Sequence, residues 1–148
     1  MPMDPSFAGR EYPLGEAYLV GVEKVREFAA AIGDDNPLFH DRAVARAAGY
    51  PDLLAPPTFA FAVINGAQEA VLFDPALGLD FSRVVHGDQR FVYSRPIVAG
   101  DELSCTIVID SIKNMAGNDM ITLRSEIVDA TGAHVVTGYG MLVSRAAG

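Results

Sequence analysis

From Val22 onward the apolar positions Val22, Val25, Phe28, Ala29 and Ile32 recur at the spacing of one helix face, with Glu23, Lys24, Arg26 and Glu27 outside it. Gly33 predicts the end of that helix. The polar run Asp34-Asp35-Asn36-Pro37-Leu38-Phe39-His40-Asp41 predicts a turn into a short helix over Arg42 to Ala48, closed by Gly49. Tyr50 to Pro57 holds three prolines and reads as loop. Thr58 to Phe73 is then apolar almost all the way round, which predicts a long buried helix.

Beyond Pro75 the period changes. Runs rich in β-formers over Ser82 to Tyr93, Glu102 to Lys113, Asp119 to Asp129 and His134 to Ser144 predict four long strands. Turn signals separate them at Val98 to Asp101, Asn114 to Asn118 and Ala130 to Ala133. One buried helix followed by a four-stranded meander predicts an α+β fold, an antiparallel sheet wrapped around a central helix, which is the hotdog architecture. Residues 1–15, rich in Pro and Gly, predict an irregular arm lying on that domain, and Tyr18 to Val20 is a short apolar stretch. No internal repeat competes, so a single domain over 1–148 is expected.

Composition narrows the class. With 148 residues, 50% hydrophobic and 20% charged, the chain is long enough for one core without staples. Cys105 is the lone cysteine, so no intramolecular disulfide is available and a reducing cytoplasm is expected. The N-terminus lacks a leader pattern, and no run approaches the roughly 18 apolar residues of a membrane helix. A formal net charge of -8 argues against nucleic acid, because phosphate binding needs a basic stripe. The same charge would repel an acidic carrier protein unless a basic patch or partner subunit intervened.

The order Asp34-x-Asn36-Pro37-Leu38-x-x-Asp41, then Gly49-Tyr50, Leu54-Ala55-Pro56-Pro57-Thr58-Phe59 and Arg95-Pro96-Ile97-x-x-Gly100-Asp101 resembles the MaoC-like hotdog dehydratases and hydratases over most of the chain. The resemblance implies an acyl thioester, carried on CoA or an acyl-carrier protein, as substrate. It implies (R)-specific hydration or dehydration in fatty-acid metabolism, with no cofactor and no metal, on a dimer of hotdog subunits. Active members place an Asp and a His five residues apart in Asp-x-Asn-Pro-x-His, so that the two orient one water for syn addition across the conjugated double bond.

Aligned on Asn36-Pro37, the family Asp falls on Asp34 and the family His on Phe39, which transfers no proton. The resemblance then implies a subunit that builds the acyl tunnel beside a catalytic MaoC-like partner. Shifted by one residue, Asp35 and His40 recover the spacing, which implies a self-sufficient homodimer. Active members also begin the central helix with His-Gly, whose Gly N-H binds the thioester oxygen; Pro56-Pro57 stands here instead, and proline has no N-H to give. Pro57 suits the first turn of a helix, and the oxyanion donor would have to come from Thr58 or Phe59.

Implied substrate-binding positions are therefore Asn36, Pro57, Thr58 and Phe59, with Ala62 and Ala67 among the small helix residues that leave room for a chain. Plainer readings stand beside these. His40 caps a turn, His86 makes a cross-strand hydrogen bond, His134 begins a strand, and Arg95 and Asp101 pair across a turn. Thioesterase chemistry is disfavoured, since no Glu or Asp lies suitably inside the central helix. A pure acyl-thioester-binding module remains the non-enzymatic alternative.

Overall fold

The structure is a computed structural model that describes residues 3–13 and 16–145. Met1, Pro2, Leu14 and Gly15 of the expected arm lie outside the described residues. Strands β1 (Glu11–Pro13) and β2 (Tyr18–Leu19) lead into helix α1 (Val22–Ala31) and the short helix α2 (Arg42–Ala47). The central helix α3 (Ala60–Leu72) follows, and then strands β3 (Val84–Tyr93), β4 (Glu102–Met115), β5 (Asn118–Val128) and β6 (His134–Ser144). Every pairing is antiparallel, in the order β1-β4-β5-β6-β3, with β2 also on β4.

Period-2 alternation fixes which face of the sheet meets α3. Along β5 the residues Ile121, Leu123, Ser125 and Ile127 are buried while Thr122, Arg124 and Glu126 are only half-buried. Ile107 and Ile109 of β4 and Val136 of β6 join them, and α3 closes the layer with Ala60, Val63, Ile64, Ala67 and Val71. Each fully buried Ile or Leu contributes about 1.5–3 kcal/mol. A one-residue slip of any strand would turn its apolar set outward, so the core enforces the register.

Four details differ from the sequence reading. The arm is not wholly irregular, because β1 pairs with β4, and Gly9 N-H donates to the Ile109 oxygen at 2.7 Å. The helix starts at Ala60, not Thr58, because Pro57 to Phe59 close a turn in which Phe59 N-H donates to the Pro56 oxygen at 2.8 Å. It is also not buried all round: Asn65, Gly66, Glu69 and Ala70 face outward. Finally, β4 and β5 run to Met115 and from Asn118, joined through Ala116 and Gly117 in the left-handed region at φ 53 and φ 83. Two left-handed residues match the twist of a tight hairpin, whereas a longer turn was expected.

The edge strand β3 pairs with β6 alone, bulged at Gly87 between His86 and Asp88. Its other edge has no strand partner among the described residues. Among the described residues α3 is the longest helix, and no helix is long and apolar enough to cross a membrane.

Candidate active site

The motif residues fold into a turn that ties its polar groups to its own backbone. Asp34 Oδ1 accepts from Asn36 N-H at 3.1 Å, and Asn36 Oδ1 accepts from Leu38 N-H at 3.0 Å, which opens a single 3-10 turn over Pro37–Phe39. Asp41 then caps α2, accepting from Ala43 and Val44. Asn36 is exposed.

His40 Nε2 lies 2.8 Å from the Asp34 main-chain oxygen, which can only accept, so this nitrogen carries the proton and donates. The His40 carbonyl in turn accepts from Arg26 Nε at 3.0 Å. His40 is thus a brace across the turn. Asp35 is exposed, and among the described residues no hydrogen bond joins it to His40.

Phe39 points the other way. Only 5% exposed, it lines an apolar cavity of about 160 Å³ together with Leu54, Pro57, Tyr93, Pro96 and Ile97. Backbone pairing sets this wall: Ala55 N-H donates to Ile97 and Ala99 N-H to Leu53, each at 2.8 Å. The polar exception is Tyr93, whose hydroxyl donates to the Pro57 oxygen, and burial pushes its phenol up to about 12. Tyr93 therefore stays protonated and anchors the end of β3 to the segment before α3. A site of this make-up can hold a hydrocarbon chain; no side chain on its wall can exchange a proton near neutral pH.

A sequence model of the FAS1-like, dehydratase domain region matches residues 6–138. The chain belongs to this family. Its curated relatives include UPF0336 proteins of Streptomyces avermitilis, 55% identical over 99% of this chain and 98% of theirs, and of Saccharopolyspora erythraea, 54% identical over 98% and 93%. Among solved structures it is similar to a chain of the HadBC (3R)-hydroxyacyl-ACP dehydratase complex of Mycobacterium tuberculosis, with TM-score 0.85 and 30% identity over 97% of this chain and 99% of that one. A MaoC-like dehydratase matches at TM-score 0.88 and 33% identity, over 96% of this chain and 43% of its own length. The hotdog fold and the MaoC-like relationship expected from the sequence both hold for this member of the FAS1-like dehydratase family.

Other singled-out residues are distributed unevenly. Of the pre-helix positions, Pro57 borders the cavity, Thr58 is exposed, and Phe59 is fully buried in edge-on contact with Phe28 and Tyr18. Ala67 is packed in the core and Ala62 is half-buried on the flank of α3. Arg95 is taken up by Asp101 at 2.8 Å and Asp129 at 3.2 Å. His134 joins Ser94 to Thr137, and Thr137 donates to Glu126. Cys105 is buried, which pushes its thiol up to about 12 and leaves it inert. In the sequence Leu54 and Ile97 read only as part of the family motif and Tyr93 only as a strand residue, since nothing local marks any of them as a cavity wall.

Proposed function

We propose that this chain is a single hotdog domain acting as the non-catalytic subunit of a cytoplasmic (3R)-hydroxyacyl-thioester dehydratase or enoyl-thioester hydratase. It gives the acyl part of a CoA or carrier-protein thioester an apolar site, beside a partner hotdog that carries the Asp/His dyad. One observation carries this reading: Phe39, at the position of the family histidine, lines the cavity, while His40, the nearest imidazole in sequence, is turned to the Asp34 backbone. The oxyanion position points the same way, because Pro57 at the cavity wall has no N-H. The unpaired β3 edge and the likeness to a chain of a two-subunit dehydratase complex support a hotdog partner.

The test is hydration of crotonyl-CoA by the purified chain, alone and mixed with a hotdog chain bearing an intact Asp-x-Asn-Pro-x-His. We expect turnover only in the mixture. A turnover of about 1–1000 per second from the lone chain, abolished in a folded His40→Ala variant, would establish the self-sufficient homodimer instead. Acyl-thioester binding without turnover even in the mixture would leave a binding module.

A further inference from the structure

Where α3 passes the β3 side of the sheet, a cluster of aromatic and carboxamide side chains gathers that the proposed role of the cavity does not use. Phe61 of α3 stacks on His86 of β3, ring centroids 5.7 Å apart at 21°. His86 Nε2 lies 2.9 Å from the Asp88 main-chain oxygen and 3.1 Å from Gln89 Oε1. Both can be satisfied by one Nε2-H, which holds the Gln89 carboxamide in place. The floor beneath is bare backbone: a Cβ on Gly138 would lie 2.6 Å from Ile64 Cδ1, and one on Gly140 only 2.9 Å from Gln89 Oε1.

Gln68 completes the cluster, its amide nitrogen 3.8 Å from that same Cβ position on Gly140. The residue is 5% exposed, yet among the described residues its carboxamide has no hydrogen-bond partner. Among the described residues no side-chain nitrogen or oxygen is both sealed from solvent and unpaired, so the Gln68 amide reaches an opening. A buried amide left without a partner lowers stability and calls for a ligand atom to satisfy it.

We propose that Gln68, with Gln89 held beside it by His86, is a subsite for a neutral hydrogen-bonding group of the acyl thioester, a hydroxyl or an amide; this rests on the acyl-binding reading above. A carboxamide offers a donor and an acceptor together, which suits neutral groups. Arg90, the nearest arginine along β3, lies over the Tyr139 ring, and both residues alternate to the opposite sheet face from Gln89 and Gly140. A phosphate or carboxylate is therefore poorly matched. Gln89, Phe91 and Tyr93 share the inward face of β3, so the subsite stands roughly 13 Å along the strand from Tyr93 and the cavity. An extended acyl chain or pantetheine arm spans such a distance.

The experiment is calorimetric titration of the full chain, together with its hotdog partner where the lone chain binds nothing. Three probes are used: decanoyl-pantetheine, the methyl thioester of (3R)-3-hydroxydecanoic acid, and decanoate. Gln68→Leu should weaken one polar probe about tenfold, leave decanoate unchanged, and raise Tm because an unpartnered amide has gone. A loss confined to decanoyl-pantetheine identifies a pantetheine amide; a loss confined to the hydroxy thioester identifies the hydroxyl. Unchanged affinity for all three overturns the subsite and spares the acyl reading. A uniform loss with lowered Tm overturns it too, since that is a packing role. If wild-type chain and partner together bind no probe, the acyl reading fails and the subsite with it.

Discussion

Two proline-containing turns border the same cavity, and they keep their shapes by different means. The turn from Asp34 to Asp41 is closed by bonds between residues two to six apart, Asp34 to Asn36, Asn36 to Leu38 and His40 to Asp34. The turn from Ser94 to Asp101 is closed by charge and tied to a distant segment: Arg95 reaches Asp101 within the turn with two bonds of 2.8 and 3.1 Å and Asp129, thirty-four residues on, at 3.2 Å. None of the side-chain bonds that close the first turn comes from residue 39. The residue at position 39 can therefore change between imidazole and phenyl without disturbing the bonds that close the loop. The second turn has no such freedom, because its charged side chains are its structure.

The largest effect should come from rebuilding the first turn. Phe39→His combined with Pro57→Gly restores an imidazole five residues after Asp34 and a backbone donor before α3. We expect crotonyl-CoA hydration by the purified chain to rise at least about 100-fold over its own background. A folded double variant with no gain would show that the turn itself has drifted from the catalytic geometry. Next in size, Arg95→Ala should lower the unfolding free energy by about 2 kcal/mol in urea titration, since three charge-assisted bonds go and two carboxylates are left facing each other. A loss below that of the first-turn variant described next would erase the contrast between the two turns.

His40→Ala removes one brace and should cost about 1 kcal/mol by the same titration, with the activity of the assembled enzyme unchanged. Loss of turnover at full stability would instead return His40 to the chemistry. The smallest effect concerns pH. The Thr131 hydroxyl, followed by Arg95 and the amides of Thr131 and Ala133, holds the Asp129 carboxyl down to about 2. Its folded value is below the unfolded one of about 3.9. Its contribution is therefore complete above about pH 4 and is lost as pH falls through about 2. Asp129→Asn should flatten that part of the stability curve, measured by urea midpoints across the interval.

The long elements were legible because their periods are long enough to see. β-rich runs of ten or more residues between turn signals mark β3 to β6, and an apolar run over α3 announces a central helix. Strands β1 and β2, with three and two residues, have no period to read; the free edge of β4 decides their pairing. On an almost wholly apolar helix the sequence does not tell Ala62 on the flank from Ala67 in the core. In the candidate site, Phe39 and Pro57 stood out as departures from a motif. Tyr93 did not, because its partner is a main-chain oxygen thirty-six residues away.

The one-sided ladder of β3 makes this protein sensitive to supply. Along its ten residues, every second one turns its backbone donor and acceptor to the edge that no strand covers among the described residues, and an open edge selects its neighbour by geometry before side chains have a say. Copies produced in excess of whatever covers that edge will pair with one another and then with misfolded strands, so loss to aggregation should follow stoichiometry more closely than intrinsic stability. Matching production to that of the proposed hotdog partner would guard against this in a way that a better-packed core does not.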